Sequence, residues 1–346
     1  MSPRTRLLCL VLSASVPAAS GLADPVVPPG YAVSKFAGDG DLSFVTGLAF
    51  DSDGVLYVSE GNLFDGTGRV LRVEDRDGDG SADAISTYAD GFGIVTGIAF
   101  RGHGFSQGRG RRPDAGPPLT DLERIRRGQF RGQRLDLFVS HFMPGVPDSG
   151  SLSVVRDRNG DGTADERDDV VTGLPSDGLN GNQQPAIGPD GRVYFGQGAR
   201  TNAGVPGGGG LPDAPENGTI LRVNPDGTGL AIHARGLRNA FDLAFTPEGE
   251  LFATENGPDP SGPGPVADAP DELNAIMAGE HYGWPAHFGF PPENTGTVGP
   301  VALFSSSTST DGLALCTSPE FCGMEGDFFA AQFGSFTNPA IGRRIV

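Results

Sequence analysis

Lysine occurs once in this chain, at Lys35, and arginine supplies the other fixed cations. Together 25 Lys and Arg face 43 Asp and Glu, a formal charge of −18. A field of that sign repels nucleic acid and anionic surfaces, and it favours solubility and divalent cations. Cysteine is scarce as well: Cys9, Cys316 and Cys322 are too few for a disulfide-dense scaffold. The five-residue spacer between Cys316 and Cys322 leaves open a disulfide or two reduced thiols, with no histidine near them in metal-ligand spacing. No apolar run reaches membrane length; residues 7–16 are interrupted by Ser13 and Ser15. Helical periodicity is confined to a turn or two near residues 119–127.

Glycine and proline are abundant instead, at 55 and 29, which fits a loop-rich β protein. Arg4 and Arg6, the apolar stretch and the small residues at 21–23 follow the order of a secretory signal. The reading is a signal peptide over 1–23, export to a periplasmic or extracellular space, and one domain over 24–346. Within that domain, strand starts at Val45, Val95, Ala186, Asp242 and Asp311 share one plan: an apolar strand, mostly an Asp/Glu-Gly turn, then an alternating strand. Units of four short antiparallel strands repeating at this spacing predict an all-β propeller. Residues 101–134 carry nine arginines against three acids and read as a surface insertion in the second blade, or as a docking site for an acidic partner.

Two stretches, 75–83 and 157–165, place oxygen donors at alternate positions around glycine. Asp75, Asp77, Asp79 and Asp83 in the first, and Asp157, Asn159, Asp161 and Asp165 in the second, have the spacing that wraps calcium. Position 12 is Ser86 in one and Asp168 in the other, which makes the second loop the better calcium candidate. Strands precede both, so neither is a helix-loop-helix. Asp/Gly turns closed on their own backbone are the alternative.

Residues 236–285 hold the densest polar cluster: Arg238, Asn239, Glu255, Asn256, Asp271, Glu272, Asn274, His281 and Tyr282, placed on loops around strands at 241–245 and 251–254. The strings Arg238-Asn239, Glu255-Asn256-Gly257-Pro258, Asp271-Glu272-Leu273-Asn274 and Tyr282-Gly283-Trp284-Pro285, with residues 173–178 and 186–198 upstream, resemble the glucose/sorbosone dehydrogenase family. These are soluble six-bladed β-propellers that oxidise sugar hydroxyls by hydride transfer to pyrroloquinoline quinone (PQQ). The resemblance implies six blades of four strands here as well. Only five strand starts are visible, so either residues 31–36 help to close the ring or the propeller is incomplete at its C-terminal end.

The same resemblance implies roles. Arg238 and Asn239 contact PQQ, Arg238 stabilising charge on the quinone, and Arg200 stands where the family holds a polar glutamine. Backbone oxygens of Gly257 and Pro258 hold the cofactor's calcium, and Glu272 and Tyr282 a second, structural calcium. A sugar is the substrate and an electron acceptor the partner; the oligomeric state stays open. The family's Asp-His base pair falls on Leu179 and Asn180, and asparagine has no titratable nitrogen. Phe92 replaces a second polar glutamine. His141, after an apolar strand, is the candidate substitute base. Two further readings remain open: a non-catalytic, calcium-stabilised propeller that binds carbohydrate or protein, and a lactonase-type hydrolase using Asn180 and Asn182.

Overall fold

The computed structural model describes residues 26–27, 29, 31–38, 40, 42–61, 66–102, 135–176, 180–202, 204, 214–260, 265–317, 323–335 and 341–346. Residues 1–23, read as a signal, residues 103–134 of the basic insertion with the stretch 119–127 read as a helical turn, Leu179 and Cys322 lie outside them. No helix among the described residues is long and apolar enough to cross a membrane.

The alternating strands and tight turns assemble five antiparallel sheets. The first is β1 (Val45–Phe50), β2 (Leu56–Gly61), β3 (Gly68–Glu74) and β4 (Ala84–Phe92). The second is β5 (Ile94–Gly102), β6 (Leu135–Phe142), β7 (Gly150–Arg156) and β8 (Glu166–Leu174). The third is β9 (Asn182–Ile187), β10 (Val193–Gln197), β11 (Thr219–Val223) and β12 (Ala231–Arg235). The fourth is β13 (Ala240–Phe245), β14 (Leu251–Glu255), β15 (Asp271–Ile276) and β16 (Ala302–Phe304). The last is β17 (Thr310–Leu315), β18 (Phe328–Gln332) and β19 (Arg344–Ile345).

This corrects the six-bladed expectation. The described residues form five blades, four of them four-stranded and the last three-stranded. The number follows the strand starts visible in the sequence; the sixth blade came from the resemblance alone. Residues 31–36 add no strand. Phe36 accepts a hydrogen bond from Ala82 N–H on the first blade at 2.8 Å. Nearby, the Phe44 and Phe333 rings, 6.0 Å apart, bring the start of the first blade against the last.

Apolar burial sits between blades, as a propeller requires of sheets covered on both faces. Tyr57, Val70, Phe92 and Val139 pack the first against the second, and Phe138, Val154, Phe195 and Leu221 the second against the third. Ile220, Leu237, Leu243 and Tyr282 pack the third against the fourth. Inner strands β1, β5, β9, β13 and β17 neighbour one another in that order. A Cβ on either Gly47 of β1 or Gly97 of β5 would lie 2.5 Å from Gln184 Oε1, so the absent side chains admit that glutamine. In all five blades the pairing of the first two strands is irregular near the start of the inner strand. Such bulges re-aim side chains at a barrel rim. Here they mark the end of the molecule that carries the polar cluster.

Candidate functional site

At that end the predicted residues meet along adjacent loops. Asn180 donates from Nδ2 to the Ala199 carbonyl at 2.9 Å, and Ala199 N–H donates to the Arg238 carbonyl at 2.7 Å. Asn239 accepts from Gln183 Nε2 and donates to Asn256 Oδ1, both at 2.9 Å. Asn256 passes the chain to the Thr310 carbonyl at 3.1 Å. Blades three, four and five are thereby joined through buried amides. Gly257 lies one residue on, its N–H donating to Asp271 Oδ1 at 3.1 Å. A Cβ there would fall 2.2 Å from the Pro270 carbonyl oxygen, so the position accepts only glycine.

Arg200 and Arg238 are buried, with side chains 6% and 7% exposed. Each is paired with a loop carboxylate that is itself largely in water: Arg200 with Asp148, 54% exposed, and Arg238 with Asp259, 55% exposed and 2.7 Å away. Arg238 Nε is buried without a hydrogen-bond partner. A buried guanidinium with a spare donor suits an anionic ligand carrying carboxylates or a quinone oxygen. The donor set therefore fits PQQ.

The acids of this region occupy strand ends, where the sequence placed them on loops. Glu255 closes β14 and Glu272 lies directly opposite on β15. Like charges in that register repel. Burial, and next the Glu272 charge, hold the Glu255 carboxyl well above its ordinary range; burial raises Glu272 too. Asn274 Nδ2 donates to both, at 3.2 and 3.1 Å, while its fully buried Oδ1 has no partner. Two facing carboxylates with an orphaned amide oxygen beside them fit a hard divalent cation. Tyr282 is committed elsewhere: its hydroxyl donates to the Ala275 carbonyl and accepts from Met277 N–H, both at 2.7 Å. Pro258 is buried next to Gly257.

His141 does not join this group. Ser140 Oγ on the same strand accepts from Asn182 Nδ2 at 3.1 Å, so the alternating His141 faces the other way, toward Phe92, with ring centroids 5.1 Å apart. Its Nε2 meets Ser153 Oγ at 2.8 Å, and burial followed by the Arg167 charge lowers its pKa to about 4. Phe92 likewise packs between blades, under the Arg167 guanidinium at 4.3 Å.

Both Asp-rich loops close on their own backbone. Asp75 accepts from Gly78 and Gly80 N–H at 2.7 and 2.9 Å, and Asp157 from Gly160 and Gly162 at 2.6 and 2.8 Å. Asp79 and Asp161 each accept from the residue two further on, and Asp83 and Asp165 reach back to Arg76 and Arg158 N–H. Asn159 Nδ2 donates to Asp161 at 3.0 Å. Among the described residues only Asp75, Asp77 and Asp83 bring three ligand atoms of His, Cys, Asp or Glu side chains within 4.8 Å of one another. Asp168, expected to favour the second loop, sits in β8 and pairs with Arg156 at 2.7 Å.

Asp242, Asp311 and Gln184 on the inner strands were not singled out in the sequence, though they stand in the repeat at or beside the glycine of Val-Thr-Gly. Burial pushes Asp242 up to about 7 and Asp311 up to about 8. Asp148 and Asp259 were missed too; no local motif marks a residue by a distant partner.

Residues 169–337 match the family described as Glucose / Sorbosone dehydrogenase, and residues 19–105 match a domain of unknown function. A 156-residue stretch is 30% identical to quinoprotein glucose dehydrogenase B of Acinetobacter calcoaceticus, covering 36% of this chain and only 30% of that protein. In fold, the chain is similar to the PQQ-bound aldose sugar dehydrogenase of Streptomyces coelicolor (TM-score 0.58, 23% identity, 84% of this chain and 75% of that one). The PQQ domain of pyranose dehydrogenase from Coprinopsis cinerea superposes with TM-score 0.61 at 14% identity, over 88% and 75% of the two chains. The Arg238 and Glu255 clusters thus lie within the stretch that matches the glucose/sorbosone dehydrogenase family model, and the fold is similar to that of aldose sugar dehydrogenase.

Proposed function

We propose that this chain is an exported, PQQ-dependent oxidoreductase of the aldose or sorbosone type, acting on a sugar hydroxyl in the periplasm or outside the cell. The observation that carries the reading is the buried Arg238 guanidinium, with its unpartnered Nε, next to the amide chain Gln183, Asn239 and Asn256. When bound, PQQ would supply the hydride acceptor. Arg238 and Asn239 would hold it, and Arg200 would meet a further carboxylate. Calcium would belong at the Gly257-Pro258 turn and between Glu255 and Glu272. Arg238 supplies fixed positive charge in a water-poor site, where it stabilises developing negative charge best.

Proton removal is the weak step. Asn180 spends its amide on Ala199 and has no basic atom, and His141 faces away. That pairing favours the second reading, a non-catalytic calcium-stabilised propeller. Dye reduction with added PQQ, calcium and a panel of aldoses separates them. Slow turnover is expected in the native chain, rising about 10²–10⁴-fold when Asn180→His with Leu179→Asp restores a base. Absence of turnover in both forms would leave the binding reading.

A further inference from the structure

Asp148 and Asp259 stand out because they are exposed acids clamped onto buried bases. A buried guanidinium needs a counter-charge, since leaving it unpaired in a dry site is costly. Here both acids lie on loops with more than half their side-chain surface in water.

The loops are built to present them. Asp148 sits at φ 55°, in the left-handed region that residues with a side chain seldom adopt. Its neighbour Ser149 holds the turn, donating from Oγ to the Val146 carbonyl at 2.7 Å while its N–H reaches Ser176 Oγ at 2.9 Å. Asp259 is gripped by Asn202: its N–H donates to Asn202 Oδ1 at 2.7 Å, and Asn202 Nδ2 returns a bond to its carbonyl at 2.8 Å. Asn202 and Arg200 share one short segment. That segment therefore meets Asp148 through Arg200 and Asp259 through Asn202, spanning blades two, three and four.

We infer that Asp148 and Asp259 are internal counter-ligands, occupying Arg200 and Arg238 until a ligand bearing at least two carboxylates displaces them. This rests on the proposed function for the site's location, and it adds the class of anion taken and the competition that gates its entry. Exchange is cheap for the protein because each acid returns to water while each arginine stays paired throughout. A ligand with one carboxylate frees one acid and leaves the other arginine closed.

Trp284 provides the readout. It is the chain's single tryptophan, and its Nε1 donates to the Asn202 carbonyl at 3.1 Å. Indole fluorescence of the full chain should be titrated with PQQ and, separately, with citrate and acetate, in wild type, Asp259→Asn and Asp148→Asn. Removing a competing carboxylate should tighten PQQ and citrate by about tenfold, the loss of one charge-assisted contact, with acetate binding weakest throughout. Raising salt should weaken PQQ and citrate binding most in the variants, where the ligand forms a new ion pair instead of exchanging with an internal one. Tightened citrate without any PQQ binding upholds the counter-ligand role and removes the quinone. PQQ binding with equal or weaker affinity in both variants overturns the counter-ligand role and leaves the quinone. No response to any probe overturns it as well. Circular dichroism identifies a misfolded variant, in which case the other variant carries the same expectation.

Discussion

The protein uses carboxylates in two opposite ways. In the loops 75–83 and 157–165 they are exposed or half-buried and accept hydrogen bonds from backbone N–H groups a few residues away. Around β13 to β17 they are buried, face one another or the axis, and have pKa values raised by burial. The first arrangement makes a turn from a local pattern. The second stores unfavourable electrostatics that a proton, a cation or an arginine must offset, and it lies beside the candidate cofactor site.

That contrast can be broken at several points. The largest effect is expected at Gly257→Ala, where a methyl would be forced to 2.2 Å from the Pro270 oxygen. A loss of about 3 kcal/mol, read by urea melts, would match a rigid site; a neutral change would show that the turn yields. Calcium comes next: at 100 times its dissociation constant it should add about 2.7 kcal/mol to thermal stability. Glu272→Gln should remove most of that gain and Asp77→Asn little. The reverse pattern would move the ion to the loops.

Titration sharpens the same comparison. Asp242 and Asp311 bind protons more tightly folded, at about 7 and about 8, than the ordinary 3.8. Their contribution is therefore most favourable below pH 4 and declines as pH rises toward 8. Denaturation midpoints across that window should fall, and Asp311→Asn should flatten the slope. A midpoint that rises from pH 5 to 8 would assign control to other groups. The smallest effect belongs to Asp157→Ala, which orphans two turn N–H groups, one exposed and one part-buried, and should cost about 1 kcal/mol.

Much of this is legible in the sequence. The repeat of apolar strand, Asp/Glu-Gly turn and second strand located the inner and second strands, because side-chain alternation and turn chemistry are local. Arg238, Asn239 and Asn256 were legible as a string and do converge. Blade number followed the five strand starts; the sixth blade came from the resemblance and had no strand start behind it. Asp271, Glu272 and Asn274 were put on a loop because polar residues usually lie there; strand β15 keeps them by burying them against Glu255, Thr308 and Gly289. The arginine partners were invisible for a similar reason: Asp148 lies 52 residues from Arg200, and only the folded ring closes that distance.

The account's central claim is that Arg238 anchors an anionic quinone at this end of the propeller. The most direct measurement is an absorbance titration of PQQ into the calcium-supplemented full chain and its Arg238→Ala variant. Saturable binding by the native chain, weakened at least about tenfold in the variant, is the expected result. Equal binding in the two, or none in the native chain, would contradict it.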